Sequence, residues 1–395
     1  MIPDVNQYPV VKLEPAIFTQ QQVDEMVNYF SGGNKLYLPQ VKTKADYDEE
    51  IVLAKRGQEI DGEFVVTQES LDWVEVLENR RKAAPDDSSL IYTDTTLTYE
   101  RDFETGEELK EYGKSYLSVM VENPNGEDAM IYVGNYTQGY SDFTVFSYYT
   151  NSGSYITESM YANMLEYDSI EEDYGYTGAG ELFEKIPVTK EAALIQAEKA
   201  ISDVNIKDLM LVNTEKAVCP EAPEICGYTM QFARQSSGIP LFWFMGGGWA
   251  NGEEPPAYSP PFSEEILSIT VSQYGIEEFS WRGYAKVVET VSKNAALMPF
   301  EDIQKHLINQ INYKKSFGAD MYMMSDYTVK VSSAELRMGY IGVKDRVNQA
   351  LMVPIWVFEN SYSYYNGTLK GEQSYRDDPY VLNAIDGGVI EISRD

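Results

Sequence analysis

The sequence predicts an α+β protein, with helices and an antiparallel meander in the N-terminal half and two tandem helix-on-antiparallel-sheet units behind it. Three observations support this class. Apolar residues recur at helical spacing between residues 19 and 83, and they alternate with polar residues between 90 and 150. A pattern of one helix followed by strands then occurs twice after residue 187.

The first predicted helix has clear start and stop signals. The lead of residues 1–18 is extended and punctuated by prolines. Thr19 and Gln22 have the spacing of a capping box, and Phe18 can pack on Val23 as a hydrophobic staple. Ser31-Gly32-Gly33 supplies the left-handed exit that commonly ends a helix.

Two further helices are expected before the strands. The second runs from Lys44 to Arg56. The third runs from Gln68 to Ala83, because it stops before Pro85. Its apolar stripe, which we expect to face inward, consists of Leu71, Val74 and Leu77.

Residues 90–150 are expected to form an antiparallel meander. The segments TLTYERDF, KSYLSVMVE, DAMIYVGNY and DFTVFSYY alternate polar with β-branched or aromatic residues, and turn-forming pairs separate them. The acidic, tyrosine-rich residues 151–186 follow as a connection. We interpret its acidic run as a solvated face, since it lacks the alternating ligands of a calcium loop.

The duplication is predicted from landmarks that share one displacement of about 113 residues. Pro240 aligns with Pro354, and Gly275 aligns with Gly388. A proline before a helical pattern occurs at Pro187 and again at Pro299. The predicted organisation is therefore an N-terminal α+β domain over 1–186, one repeat over 187–298 and a second over 299–395.

Composition excludes several classes of function. The 395 residues are 43% hydrophobic and 24% charged, which is typical of a globular chain. Lys plus Arg number 31 against 63 Asp plus Glu, a net charge of −32, so nucleic acid would be repelled. No apolar run reaches the length of a membrane span.

The two cysteines, Cys219 and Cys226, flank a proline-containing loop between the apolar runs LMLV and YTMQF. If those runs form a hairpin, the sulfurs lie close enough for a disulfide, and the alternative is a pair of reduced thiols. A metal site is not expected, because one cysteine pair without nearby histidine offers too few ligands.

Residues 187–200, followed by Asp208 to Val212, resemble the opening of PepSY-like units, in which a short helix packs over an antiparallel sheet. Residues 351–390 resemble their closing strands. The wider run over 187–395 is similar to an uncharacterised family of clostridial lipoproteins. This resemblance implies a protein on the extracellular face of the cell envelope, tethered through a signal segment and lipid-bearing cysteine that the sequence does not contain. It assigns no functional residue.

Catalytic motifs are missing from the sequence, and we expect no catalytic residue and no cofactor. The single histidine, His306, lies beside an apolar helical face, and no G-x-S-x-G, HExxH, GxxxxGK[ST] or GxGxxG pattern occurs. A pair of carboxylates for glycan cleavage stays open, since it requires only two acids at a suitable distance.

The candidate ligand-binding residues are Trp243, Trp249 and Tyr258 in a Gly/Pro-rich loop, where their rings either face a ligand or fold back onto the sheet. We therefore expect a noncatalytic cell-surface binding or regulatory module with a protein or peptide partner. The alternative is a protein that binds or cleaves glycans. A cleft with two carboxylates beside a tryptophan would favour the glycan, and an exposed apolar patch would favour a protein partner.

Overall fold

A computed structural model of the chain describes residues 7–39, 42–60, 63–86, 90–99, 114–123, 128–135, 144–150, 155–161, 179–219, 222, 225–242, 262–322, 325–344, 346–365 and 373–390. Helices and antiparallel sheets are both present, which confirms the mixed α+β class. The helices are α1 (Gln20–Ser31), α2 (Lys44–Ala54), α3 (Gln68–Ala83), α4 (Ala179–Leu182), α5 (Lys190–Asp203) and α6 (Phe300–Tyr322).

The strands lie in two large sheets and one small hairpin. They are β1 (Val10–Pro15), β2 (Leu36–Tyr37), β3 (Gln58–Ile60), β4 (Glu63–Val65), β5 (Tyr92–Thr93), β6 (Thr98–Tyr99), β7 (Ser115–Val121), β8 (Ala129–Asn135), β9 (Val145–Tyr149), β10 (Ile156–Thr157), β11 (Leu209–Val218), β12 (Cys226–Ser236), β13 (Ile239–Pro240), β14 (Ile266–Ser272), β15 (Gly275–Arg282), β16 (Ala285–Ser292), β17 (Ser325–Val343), β18 (Arg346–Tyr365), β19 (Gln373–Asn383) and β20 (Val389–Ile390).

The larger sheet has the strand order β10-β11-β12-β14-β15-β9-β8-β7-β2-β5, with β13 paired to β12 and β6 paired to β7. The predicted meander is confirmed, because β7, β8 and β9 are consecutive antiparallel neighbours. β9 also pairs with β15, Phe146 lying opposite Trp281. Hydrogen bonding thus continues across the predicted boundary at residue 187, and one sheet contains strands from both sides of it.

Helices α1 and α5 supply the apolar side chains that cover this sheet. Val23, Met26 and Val27 of α1 are buried in the same core cluster as Ile131 of β8 and Leu267 of β14. Helix α5 contributes only alanines to its fully buried face, namely Ala193, Ala197 and Ala200. Such small residues let a helix backbone lie close to the strands, so the helix-over-sheet contact is tight.

The second sheet has the order β16-β1-β18-β19-β20, and β17 is also paired to β18. Ile303 and Leu307 of α6 pack on it against Trp356, Phe358 and Leu382. His306 is exposed on the same helix. Its ring lies against Gly387, where an added Cβ would be 2.9 Å from the imidazole. This position agrees with the helix-flank role predicted for the histidine.

The sequence signals predicted most of the helix starts and ends correctly. Thr19 caps α1 in a complete capping box with Gln22, and Gly32 has the left-handed φ of 58°, so both predictions are confirmed. Helix α3 has the predicted bounds, whereas α2 ends at Ala54 and not at Arg56. The helix does not continue to Arg56, because Gly57 has a left-handed φ of 85° and lies against the backbone of Val65, where an added Cβ would be 2.1 Å from the Val65 carbonyl oxygen.

One predicted face was wrong. Val74 and Leu77 of α3 are buried as expected, but Leu71 is 51% exposed. Among the described residues, the core stripe of α3 packs on α2 through Ile51. A stripe that faces one helix is narrower than a stripe that faces a sheet, and Leu71 falls outside it.

Candidate binding cleft

A cleft of about 380 Å³ opens where α1, the segment after α5 and the start of β16 meet. It is lined by Gln22, Glu25 and Met26 of α1, residues 204–208, residues 284–287 and the side chains of Arg234, Glu265 and Trp281. This volume is in the range of small-molecule sites in proteins. We refer to these residues as the cleft.

Local bonding fixes the wall that follows α5. Asn205 and Asp208 have φ angles of 57° and 60°, the left-handed region that asparagine and aspartate tolerate best among non-glycine residues. The N–H of Ile206 donates to the carbonyl of Ile201 at 3.0 Å, and the N–H of Gln235 donates to that of Asp208 at 2.8 Å. These hydrogen bonds hold the backbone of residues 205–208 in place, and with it the side chains that line this wall of the cleft.

The deepest polar group of the cleft is an ion pair. Arg234 lies in β12 and Glu265 directly before β14, and their side chains are 9% and 1% exposed. Arg234 Nε is 2.5 Å from Glu265 Oε2, and Arg234 Nη2 donates to the carbonyl of Ala285 at 2.7 Å. The indole Nε1–H of Trp281 donates to Glu265 Oε1 at 3.0 Å. Each carboxylate oxygen of Glu265 therefore has a donor.

Burial and the attraction between the two charges act on this pair in opposite directions. Burial is the largest single influence and lowers the pKa of the Arg234 guanidinium, but the charge and hydrogen bond of Glu265, together with Tyr340 and Asp208, outweigh it and the pKa is raised. Burial raises the pKa of the Glu265 carboxyl, and the Arg234 charge and the Trp281 hydrogen bond oppose that shift. Arg234 therefore stays protonated, and Glu265 is a poor candidate for a catalytic acid or base because its oxygens are occupied.

The rim of the cleft carries exposed side chains of both charges. Lys207 and Asp208 are adjacent in the wall after α5, Lys286 lies at the start of β16, and Glu25 lies on α1. Lys286 is 3.6 Å from Glu14, and Gln21 donates to Glu25 at 2.9 Å. A ligand that carries both charges would find a partner for each at this rim.

The aromatic residues of the cleft are packed against their neighbours. Trp281 is 5% exposed. Tyr284 stacks on Phe18 with ring centroids 5.2 Å apart and planes at 8°, and its centroid is 4.8 Å from that of Trp281. One face of Tyr284 and most of Trp281 are thus unavailable for stacking on a ligand.

The loop aromatics that the sequence nominated, Trp243, Trp249 and Tyr258, lie outside the described residues, so their role stays a prediction. Arg234 and Glu265 were missed. The available signal was a charged residue at the end of each apolar strand, QFAR and EILSITV, but their pairing depends on strands that are neighbours only in the folded sheet.

The predicted hairpin is confirmed by the β11–β12 pairing, with Cys219 directly after β11 and Cys226 at the start of β12. Both are buried. Cys226 lies opposite Val218, and the N–H of Cys219 donates to the carbonyl of Ile225 at 3.3 Å. The disulfide between them stays a prediction, which alkylation and mass spectrometry without reductant would test.

Comparisons with known proteins add little to this picture. No protein-family model matches the chain, and no curated protein matches it. A crystal structure of an uncharacterised protein from Eubacterium rectale ATCC 33656 is similar over 70% of this chain and 76% of that one, at 15% identity and a TM-score of 0.37.

Neither a candidate membrane helix nor a candidate metal centre occurs in the described part of the chain. No helix there is both long and apolar enough to cross a bilayer. Within those same residues, no group of three or more His, Cys, Asp or Glu side chains could hold a metal ion.

Proposed function

We propose that the chain is a noncatalytic binding or regulatory module of the cell surface, and that the cleft binds a short peptide segment of a partner. The observation that carries the proposal is the rim, where Lys207 and Lys286 stand with Glu25 and Asp208 around an ion pair that is already neutralised. A peptide with free or charged groups of both signs matches such a rim, and the cleft is large enough for a few residues.

A glycan is the second candidate ligand. Carboxylates of Glu25, Asp208 and Glu265 lie in one cleft with Trp281, which is the arrangement that would favour it. Sugars, however, stack on an open ring face, and Trp281 is buried while Tyr284 is covered on one side by Phe18. Glu265 also lacks a vacant oxygen, so binding of a glycan is better supported than its cleavage.

The PepSY-like character of the C-terminal half is part of the same proposal. Helix α5 precedes the meander β11-β12-β14-β15, and α6 precedes the meander of β17 to β20. Gly275 and Gly388, aligned by the repeat, lie at the last hairpin turn of each meander. We propose that these are two PepSY-like units of an envelope-tethered lipoprotein, in which the cleft restrains or senses a peptide.

The experiment is a thermal-shift and calorimetry screen with three probes. They are a pool of free tetrapeptides, the same peptides acetylated and amidated at their ends, and cello- and malto-oligosaccharides. A free peptide in hundredfold excess over its Kd should raise the melting temperature by a few degrees. We expect the shift to fall in Lys207→Ala and Asp208→Asn, and to persist in the control Lys293→Ala, an exposed lysine outside the cleft.

The outcomes separate the candidates. A shift with the oligosaccharides alone would replace the peptide by the glycan as ligand. A peptide shift that survives both cleft substitutions would place binding elsewhere on the molecule and overturn the cleft as its site. A shift that requires free peptide termini would show that the two charges of the rim are used.

A further inference from the structure

The chain segment between β2 and β5 has an unusual apolar surface that is separate from the cleft. β2 and β5 pair directly, and the N–H of Leu38 donates to the carbonyl of Ile91 at 2.9 Å. Residues 38–91, which we call the insert, thus leave and re-enter the large sheet at one place. They contain α2, the β3–β4 hairpin and α3.

The two helices of the insert are antiparallel. Arg81 Nε is 2.5 Å from Asp48 Oδ1, and Lys55 Nζ is 3.0 Å from Glu78 Oε1. The N–H of Lys44 donates to the carbonyl of Pro85, which joins the start of α2 to the end of α3 near the sheet. The end of α2 and the start of α3 therefore lie at the far end, roughly 24 Å away for the length of α3.

The far end of the insert carries a group of exposed apolar side chains. Its exposed hydrophobic residues, which we call the insert tip, are Val52 and Leu53 of α2, Phe64 to Val66 at β4, and Leu71 and Trp73 of α3. Each is between 42% and 62% exposed. The core of the insert holds only Ile51, Val74 and Leu77, with Tyr47 and Ala54 partly buried beside them. The insert tip thus has more apolar side chains than the core of the insert.

The directions of these side chains decide what could cover them. Val52 and Leu53 are consecutive helical residues and point about 100° apart. Phe64 and Val65 are consecutive residues of β4, and consecutive strand residues point to opposite faces. Leu71 and Trp73 flank the buried stripe of α3 on its two sides. A groove on a partner protein covers one side, whereas this tip is apolar on several sides.

We propose that the insert tip enters the interfacial region of a lipid bilayer, which surrounds an apolar projection on all sides. Trp73 and Phe64 are aromatic types enriched at that depth, and the exposed Arg56 can reach lipid phosphates. An exposed apolar patch by itself favours a protein partner, but the distribution around the tip favours lipid. This inference is independent of the cleft.

Net charge defines the class of lipid. A chain with a charge of −32 is repelled by an anionic surface, so zwitterionic headgroups are the expected target. Binding to phosphatidylcholine should be weakened by added phosphatidylglycerol at low salt and restored by salt, because screening removes the repulsion. A basic patch that bound by charge alone would show the opposite dependence.

The experiment is flotation of the full chain with large unilamellar vesicles of phosphatidylcholine. The test variant is Leu53→Asn/Phe64→Ser/Trp73→Gln. The matched control is Ile195→Asn/Tyr274→Ser/Ile308→Asn, whose wild-type residues are 57–70% exposed, against 48–62% for the test residues. We expect the control to float like the wild type and the test variant to partition at least roughly tenfold more weakly, since three apolar contacts are removed. Melting temperature and the peptide response of the cleft should be retained in both.

A second readout does not depend on how the triple variant folds. Brominated phosphatidylcholine should quench part of the wild-type tryptophan fluorescence, and that part should disappear in Trp73→Phe. Absence of wild-type flotation on phosphatidylcholine, equal flotation of the test variant, or binding only when phosphatidylglycerol is present would each overturn the proposal. A change in sedimentation of the test variant without lipid would assign the tip to a protein contact instead.

Discussion

Arg234 and Glu265 form an ion pair with Nε and Oε2 2.5 Å apart, at a place where neither side chain has appreciable access to water. Their backbones are also linked, since the N–H of Arg234 donates to the carbonyl of Glu265 at 3.4 Å. The pair lies between the strands of the large sheet and the cleft, so it couples the stability of the sheet to the shape of the proposed site.

Breaking this pair on one side should be costly. Glu265→Gln leaves the Arg234 charge buried without its counter-charge, and we expect a loss of about 3–5 kcal/mol in the free energy of unfolding by urea denaturation. The double variant Arg234→Met/Glu265→Leu should recover much of that loss, because no charge is then buried.

Glu289→Gln is the matched control, since Glu289 pairs with Lys12 at 2.5 Å on an exposed strand. Its cost should stay within about 1 kcal/mol. Equal costs for Glu265→Gln and Glu289→Gln would mean that the buried pair is not formed in solution.

Glu264 should make stability depend on pH. Burial raises the pKa of this carboxyl from 4.5 to about 7 in the folded chain. Below pH 4.5 this carboxyl is protonated in both the folded and the unfolded chain, so it does not destabilise the fold. As pH rises through 7 the folded chain must also give up the proton, and above that range the free energy of unfolding should be about 3 kcal/mol lower than at low pH. Glu264→Gln should remove this dependence.

The measurement is the difference between the unfolding free energies of Glu264→Gln and wild type from pH 4.5 to 8. It should grow in favour of the variant as pH rises. Glu181→Gln, at a carboxyl whose side chain is 82% exposed, serves as control. Parallel curves for Glu264→Gln and wild type would contradict the assigned burial.

The alanine face of α5 should not accept a larger side chain. Ala197 is fully buried against the large sheet, and Ala197→Leu forces extra volume into that contact. We expect a loss of about 1–3 kcal/mol by chemical denaturation. Ile195→Leu on the 66% exposed face of the same helix should change stability by less than about 0.5 kcal/mol. Tolerance of leucine at both positions would show that α5 does not lie against the strands.

Gly227 of β12 should be intolerant of any side chain. A Cβ at this residue would lie 1.9 Å from the carbonyl oxygen of Val271 on β14, and neither backbone can move without breaking the sheet. Gly227→Ala should cost at least about 3 kcal/mol, measured as a lower melting temperature or lost soluble yield. At Gly33, with φ of 83° and open space around it, alanine should cost only about 1 kcal/mol. Similar losses at the two glycines would argue against the β12–β14 register.

Local chemistry was sufficient to predict the individual elements. The capping box of Thr19 and Gln22, the left-handed Gly32 and the alternation in β7 to β9 each depend on residues close in sequence, and the structure has them as predicted. Leu71 was misassigned because its helical spacing is correct, but the width of the buried stripe depends on what packs against it.

The sequence by itself determined the α+β class, the starts of α1, α2 and α3 and the acidic charge, since these follow from short-range periodicity, capping patterns and composition. Only the tertiary structure decided that β9 pairs with β15 across residue 187, that Arg234 meets Glu265 and Trp281, and that the insert tip stays uncovered. The physical reason is that strand order and packing join residues far apart in the chain, which no local pattern specifies.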